Sequence, residues 1–179
     1  MRELIEDMRR LSGLDPLAEA KAKAGGPPVV VSPDAYLITD SGEYVWTPER
    51  VKKAWKDSYA ALKRLADDPK YNKLVLMVGV PGAGKSTWIQ KNKEPGAIYF
   101  DATFTDQRSR RPVIKMGNDG GMDVEAVMMT TPINVCKDRN ACRTADRKVP
   151  DDVVEKMATR LIGDLPQESE GFSKIRHAQ

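Results

Sequence analysis

The chain has 179 residues, of which 40% are hydrophobic and 31% charged, so its composition is that of a globular protein and excludes an intrinsically disordered one. No apolar run reaches the roughly 20 residues of a membrane-spanning helix, and the charged N-terminus MRELIEDMRR lacks the apolar core of a signal peptide. The two cysteines in CKDRNAC and the single histidine exclude a disulfide framework and a zinc site of ordinary spacing. We therefore expect a cytoplasmic protein with free thiols and no membrane partner.

The first segment, residues 1–28, is predicted to be a helical arm followed by a linker. Apolar residues within Leu4–Leu11 have helical spacing. An Ala- and Lys-rich stretch then ends in Gly-Gly-Pro-Pro, which stops a helix. The arm is free to pack on the rest of the chain or to mediate self-association. Residues 29–179 are long enough for one α/β domain.

Strand and helix patterns alternate along this domain. The stretch VVVSPDAY, Val29–Tyr36, predicts a short buried strand with Asp34 at its tip, and Thr47-Pro48-Glu49 is typical of a helix start. The apolar run Leu74–Gly79 is typical of a central parallel strand. Further elements are predicted as helices from Lys85, at Arg108–Met116, at Asn134–Ala145 and from Pro150, and as strands at Ala97–Phe100, Val124–Thr130 and within EGFSKIRH. This alternation predicts a three-layer α/β fold around a parallel sheet of about five strands.

The stretch GVPGAGKS, Gly79–Ser86, fits the phosphate-binding pattern G-x-x-x-x-G-K-[ST], with an apolar strand before it and a helix after it. Its glycines let backbone N–H groups face phosphate oxygens, and the new helix adds its positive end. We expect Lys85 to reach the β- and γ-phosphates and the Ser86 hydroxyl to coordinate Mg²⁺. The predicted nucleotide-binding residues are Gly79, Pro81, Gly82, Ala83, Gly84, Lys85, Ser86 and Thr87.

Other motifs narrow the class of nucleotide-binding protein. The base-reading N-K-x-D of a switch GTPase is absent from the sequence. Motors and helicases usually carry a strand that ends in two acids, whereas IYFDATF carries one, Asp101. A small kinase needs a carboxylate base, an acid near the metal and an arginine-bearing lid. The chain offers all three, so we expect an ATP- and Mg²⁺-dependent kinase.

The predicted lid lies in CKDRNACRTADRKVP, where residues 137–148 hold five basic and two acidic side chains. Arg139 and Arg143 are spaced to share one helical face and to clamp a phosphoryl group. Arg147 follows just past the predicted helix and is expected to contact the nucleotide. Basic clusters suit polyanions such as nucleotides and nucleic acid. A second such cluster consists of Arg108, Arg110, Arg111 and Lys115.

Four motifs together resemble the kinase domain of phage-type 5′-hydroxyl polynucleotide kinases: GVPGAGKSTW, DATF followed by RRPVI, a strand closed by TTP, and RN-x-x-R-x-x-D-R-K-V-P. The resemblance runs from Leu74 to the terminal EGFSKI. It implies a P-loop kinase fold, ATP and Mg²⁺ as cofactors, and a nucleic-acid partner, DNA favoured over RNA, in a phage-infected bacterium. It also implies that Arg143 contacts the phosphates and that Asp101 supports the lid and the metal.

One element of that family is missing from its usual place. The family's general base is the Asp of a strand ending in Asp-x-Tyr-Arg, between the P-loop helix and the DAT strand. Here Lys93–Gly96 leads directly into the DAT strand. VVVSPDAY and the helix after it resemble the missing unit, which predicts a permuted strand order with the first strand at the edge beside the DAT strand. Asp34 is then the base, with Asp101 as the alternative, and we expect the site residues Asp34, Lys85, Asp101 and Arg143 to converge at the carboxyl ends of the strands.

The acceptor is less defined, because Leu37 stands where the family carries the Arg that grips the acceptor's phosphate. Arg108 or Arg111 is then expected to replace it, or the acceptor differs. The leading hypothesis is a 5′-hydroxyl end of nucleic acid. An alternative is the hydroxymethyl group of a modified base such as 5-hydroxymethyluracil in DNA, which must be flipped out or reached in the groove. Further alternatives are a small-molecule acceptor and a non-enzymatic, nucleotide-gated binding module. No obvious row of stacking aromatic residues is present.

Overall fold

The computed structural model describes residues 24–179. The predicted arm lies outside the described residues apart from its last segment, Ala24–Pro28. There Gly26 donates its N–H to the Lys70 carbonyl at 3.1 Å, and its own carbonyl accepts from the Gly96 N–H at 2.7 Å. The end of the linker is therefore hydrogen-bonded to two turns of the domain.

The domain is built on a five-stranded parallel sheet with the order β1-β3-β2-β4-β5. The strands are β1 (Val29–Val31), β2 (Lys73–Val78), β3 (Ala97–Asp101), β4 (Asp123–Met129) and β5 (Lys174–Ala178). The predicted parallel sheet is confirmed, and so is the edge position of β1 beside β3. Phe100 in β3 lies between Val31 of β1 and Leu76 of β2 in the register. The spatial order therefore differs from the order along the chain.

Helices cover both faces of this sheet, which confirms the predicted three layers. The helices of the described residues are α1 (Pro48–Ala66), α2 (Lys85–Asn92), α3 (Gln107–Asp119), α4 (Ile133–Ala141) and α5 (Asp151–Gly163). Helices α1 and α3 pack with Leu74 and Leu76 on one face. Helices α2, α4 and the start of α5 pack with Val75 and Met77 on the other. Because β2 is covered on both sides, its sequence is apolar from Leu74 to Val78 rather than alternating.

A small antiparallel hairpin lies between β1 and α1, where the sequence predicts only a polar turn. A 3₁₀ turn, Pro33–Leu37, leads into it. Ile38 bridges Tyr44, and the Val45 N–H donates to the Leu37 carbonyl at 2.9 Å. We refer to residues 37–45 as the β1–α1 hairpin.

The hairpin is fixed to the start of α1. The Arg50 guanidinium donates to the Val45 carbonyl at 3.1 Å and to the Leu37 carbonyl at 3.2 Å. The predicted helix start is also confirmed, because the Thr47 hydroxyl accepts the Arg50 N–H at 3.2 Å. One arginine thus ties both strands of the hairpin to the first turn of α1.

Across residues 24–179, no helix combines the length and the apolar character needed to cross a bilayer.

Candidate active site

The phosphate-binding loop connects β2 to α2, as its flanking patterns predict. Gly82 has φ 83°, and a Cβ there would lie 2.2 Å from the Cys136 carbonyl oxygen in α4. Gly84 has φ 97° and immediately precedes the first residue of α2. Both positions favour glycine, the first also because α4 packs directly against the loop. The loop therefore opens at the N-terminus of α2, where the backbone suits an anion.

Lys85 is partly exposed, but its ammonium is folded onto the loop. The Nζ atom donates to the Gly79 carbonyl at 2.9 Å and to the Val80 carbonyl at 3.1 Å. Burial lowers the pKa of Lys85 from 10.5 to about 8. The carboxylates of Asp101 and Asp34 oppose that shift of the pKa, and the Arg143 cation adds to it. The loop lysine is thus within electrostatic reach of the other three predicted site residues.

Ser86 and Asp101 are brought together because β2 and β3 are neighbours and end at the same edge of the sheet. The Ser86 hydroxyl donates to the Asp101 carboxylate at 2.6 Å. Oxygen ligands of this kind suit Mg²⁺, which usually takes few protein ligands and completes its shell with water and phosphate. Within residues 24–179, no group of three or more His, Cys, Asp and Glu residues could hold a metal ion. A metal at this pair would therefore depend on the nucleotide for further ligands.

Asp34 lies in the 3₁₀ turn directly after β1, with its side chain exposed. Its Oδ1 atom receives a long contact of 3.5 Å from the Tyr44 hydroxyl of the hairpin. Partial burial is the largest cause of the raised pKa of Tyr44, and the Asp34 carboxylate raises that pKa further. Since β1 pairs with β3, Asp34 and Asp101 follow adjacent strands at the same edge of the sheet.

The predicted lid approaches the loop through Arg139, whose guanidinium donates to the Gly82 carbonyl at 3.5 Å. The prediction that Arg139 and Arg143 share one helical face is wrong, since α4 ends at Ala141. Arg143 follows in an exposed bend. The helix ends early because the buried Asn140 side chain donates to the Val149 carbonyl at 2.6 Å and accepts the Val149 N–H at 3.2 Å. The intervening residues form an exposed loop with its two ends held together.

Arg147 lies in this loop with its guanidinium carbon 5.3 Å from the centroid of the Tyr44 ring. This is a cation–π contact. A nucleotide contact for Arg147 stays a prediction. In the structure the residue joins the lid to the hairpin, so Tyr44 contacts both Asp34 and the lid.

Two residues of this arrangement are absent from the sequence prediction. Asn140 is fully buried, and the sequence signal for it is the Asn of the RN-x-x-R motif. No local pattern singled out Tyr44, because its partners Asp34 and Arg147 are distant in the sequence and meet only in the fold.

The prediction of a second exposed basic cluster is wrong at Arg110. This side chain is fully buried. It donates to both Glu170 oxygens at 2.8 and 2.7 Å and to the Asp164 carbonyl and carboxylate at 3.0 Å each. Lys115 makes a surface ion pair with Asp119 at 2.6 Å. Arg108, Arg111 and Lys115 are exposed on α3.

Comparisons with known proteins agree with this architecture. A protein-family model described as an AAA domain matches residues 92–162, from the end of α2 to the last turn of α5. No curated protein matches the chain. Because the match begins after the phosphate loop, the loop and the matched segment are independent observations. Together with the parallel sheet they indicate a nucleotide-binding, P-loop kinase-like domain.

Proposed function

We propose that this protein is an ATP- and Mg²⁺-dependent kinase that transfers the γ-phosphate to a hydroxyl group on nucleic acid, with a 5′-hydroxyl end as the leading acceptor. The observation that carries the proposal is the charge arrangement around Lys85. Its ammonium lies on the carbonyls of the phosphate loop. Ser86, the next residue, contacts the Asp101 carboxylate at 2.6 Å, Asp34 follows the adjacent strand β1, and the Arg139 guanidinium reaches the loop at Gly82. A phosphoryl-transfer site needs this combination of base, metal support and cation.

In the proposed reaction, the acceptor oxygen bonds to the γ-phosphorus while the bond from that phosphorus to the β–γ bridging oxygen breaks. Asp34 takes the proton of the acceptor hydroxyl. Lys85 exchanges its loop carbonyls for phosphate oxygens, and Arg139 and Arg143 stabilise charge on the transferring group. ADP leaves with the bridging oxygen.

Ser86 and Asp101 are the residues that would hold Mg²⁺, and their paired oxygens fit it. When bound with ATP, the metal supplies charge neutralisation on the phosphates. Asp101 also remains the alternative general base. The exposed position of Asp34 at the end of β1 favours Asp34, because a hydroxyl on a large acceptor can reach it.

The order of elements supports a further part of the proposal, that the strand–helix unit β1–α1 corresponds to a unit that follows the P-loop helix in phage-type polynucleotide kinases. Here the unit precedes β2, yet β1 occupies the edge beside β3. Helix α1 then leads back to the central strand. A parallel sheet accommodates this route without a crossed connection.

A second candidate acceptor is a hydroxymethyl pyrimidine in DNA, and Leu37 favours it. This residue is buried, with 3% of its side chain exposed, and the Arg50 guanidinium binds its carbonyl oxygen. The chain therefore has no cationic side chain at the position where phage-type polynucleotide kinases bind the phosphate next to the reacting 5′ end. An acceptor hydroxyl carried by a base does not require that grip.

The test is transfer of labelled γ-phosphate from ATP to three acceptors: a 5′-hydroxyl oligonucleotide, a 5′-blocked duplex of ordinary bases, and a 5′-blocked duplex containing 5-hydroxymethyluracil. Label on the first alone supports the end kinase. Label on the third alone supports the base kinase. Absence of label on all three, with ATP binding intact, contradicts a DNA kinase and favours RNA, a small molecule or a binding module.

The role of Asp34 is tested with Asp34→Asn. We expect turnover to fall about 10²- to 10⁴-fold with ATP affinity unchanged. Asp40→Asn is the matched control, since Asp40 is an exposed carboxylate at the tip of the same hairpin. Full turnover by Asp34→Asn would favour Asp101 as the base.

A further inference from the structure

The β1–α1 hairpin and its flanks carry a row of exposed apolar side chains. Among residues 24–179, the two exposed aromatic residues are Tyr36 and Trp46, with 40% and 62% of their surfaces exposed. Ile38 is 42% exposed, whereas Leu37 beside it is buried. The antiparallel bridge pairs Ile38 with Tyr44, so these two side chains lie on the same face of the hairpin. Trp46 follows Tyr44 by two residues, so alternation of extended backbone places it on that same face, whereas Tyr36 lies in the preceding 3₁₀ turn.

This face begins at the proposed catalytic base. Tyr44 contacts Asp34 through its hydroxyl and Arg147 through its ring. Trp46 lies two residues after Tyr44. The Arg50 guanidinium binds the carbonyl of the adjacent residue, Val45, and so holds this part of the backbone. An acceptor whose hydroxyl reaches Asp34 therefore has this face beside it.

The charges around the face indicate which way a polyanion would lie. The tip of the hairpin is acidic, with Asp40 and Glu43 exposed. The lid on the other side carries Arg143, Arg147 and Lys148, all exposed. Phosphates are repelled from the tip and attracted to the lid. A strand placed along the lid would leave its bases next to the hairpin.

We propose that this face, made of Ile38, Tyr44 and Trp46, is the acceptor platform, on which a nucleobase next to the reacting hydroxyl stacks, with Trp46 as its principal contact. The inference rests on the proposed function and defines how that site selects nucleic acid. Stacking on an aromatic side chain tolerates any base, since every base offers a π-face. It also requires an unpaired base, so the platform selects single-stranded ends or a flipped nucleotide.

The experiment measures KM and kcat for phosphorylation of a 5′-hydroxyl oligonucleotide of about 12 nucleotides, a length within single-strand site sizes. The enzymes are the natural protein, Trp46→Ala, Trp46→Phe and the control Ile162→Ala, which removes an apolar side chain that is 75% exposed on α5. A second oligonucleotide carries an abasic 5′-terminal nucleotide with its hydroxyl retained. We expect Trp46→Ala to raise the oligonucleotide KM about 5- to 150-fold, with Trp46→Phe and Ile162→Ala close to the natural protein.

The KM for the abasic oligonucleotide distinguishes base stacking on Trp46 from a purely structural role of Trp46. Loss of the base should raise KM for the natural protein by a factor similar to that of Trp46→Ala. The Trp46→Ala enzyme should not distinguish the two oligonucleotides, and its KM for ATP should be unchanged. An unchanged oligonucleotide KM in Trp46→Ala, or an equal abasic penalty in both enzymes, would overturn the platform.

Failure of the platform can be separated from failure of the proposed kinase. If the natural protein phosphorylates no oligonucleotide, the binding of a fluorescein-labelled oligonucleotide is measured by anisotropy in the presence of ADP. Binding that depends on Trp46 then supports the platform while the kinase proposal falls. Absence of binding by the natural protein overturns the platform as well. Phosphorylation that is insensitive to Trp46 overturns the platform alone.

Discussion

Two basic clusters look equivalent in the sequence, but their arginines differ in the structure. The lid arginines in residues 137–148 are exposed, with only a long contact to the phosphate loop and a ring contact to Tyr44. Arg110, from the cluster on α3, is fully buried with four short hydrogen bonds to Asp164 and Glu170. A cation with its own carboxylate partners is occupied within the fold. A cation without them is available to an incoming anion.

The largest effect is expected from the lid. Arg143→Ala should lower the rate of phosphoryl transfer by about 10³-fold or more, because it removes a cation from the transferring group. Thermal stability should be unchanged, since the Arg143 side chain is exposed. Single-turnover kinetics and a melting curve check both parts. A large loss of stability with normal turnover would show that Arg143, like Arg110, has a structural role and not a catalytic one.

Arg110→Met should give the opposite pattern, with a free energy of unfolding lower by about 3–5 kcal/mol, because the substitution leaves the buried Glu170 carboxylate without its partner. Arg111→Met is the matched control on the same helix, exposed and expected to change stability by less than about 0.5 kcal/mol. Urea unfolding measures both. Equal stability of the two variants would contradict the structural role of Arg110.

Asn140→Ala should affect stability and the lid together. The substitution removes both hydrogen bonds to Val149, at a cost of about 1–3 kcal/mol for the buried backbone groups left unpaired. It should also speed trypsin cleavage after Arg143 and Arg147, because the ends of the loop are no longer held together. Asn134→Ala, at an exposed position of the same helix, should leave the cleavage rate unchanged. Unchanged cleavage in Asn140→Ala would contradict the role of Asn140 in holding the two ends of the lid loop together.

The smallest effect is expected from Lys85, and it concerns the protonation of one amine. Its ammonium has carbonyl partners rather than a direct ion pair, and its pKa is lowered to about 8. Because nucleotide phosphates favour the protonated amine, binding of ADP at pH 9 should take up a proton, and ADP affinity should fall as the pH rises above 8. In the free folded protein the lowered pKa costs stability below pH 8, and this cost decreases as the pH rises towards 10.5.

Calorimetry at pH 9 in two buffers of different ionisation enthalpy measures the proton uptake. Lys85→Met should abolish it and should stabilise the free protein at neutral pH, since an enclosed charge is removed. Identical binding enthalpies in the two buffers for the natural protein would show that Lys85 is already protonated at pH 9.

Local patterns were sufficient for much of the fold. The phosphate loop at Gly79–Ser86, the capped start of α1 at Thr47 and the apolar strand β2 were all predicted, because turn chemistry, capping and hydrophobic periodicity act over a few residues. The position of β1 beside β3 was predicted from the likeness of one strand–helix unit to a known family. The expected grouping of Asp34, Lys85 and Asp101 rests on the shared edge of a parallel sheet, whereas Arg143 lies in the lid loop after α4.

Only the tertiary structure decided which charged and aromatic residues are buried and which surround the site. Arg110 is separated by more than fifty residues from Asp164 and Glu170, and Arg147 by about a hundred from Tyr44, so no local pattern distinguishes a buried cation from an available one. The early end of α4 has the same origin, since Asn140 is drawn to Val149. The sequence determined where the phosphate loop is, because its chemistry is local. The packing of distant segments determined which cations and aromatic rings surround it.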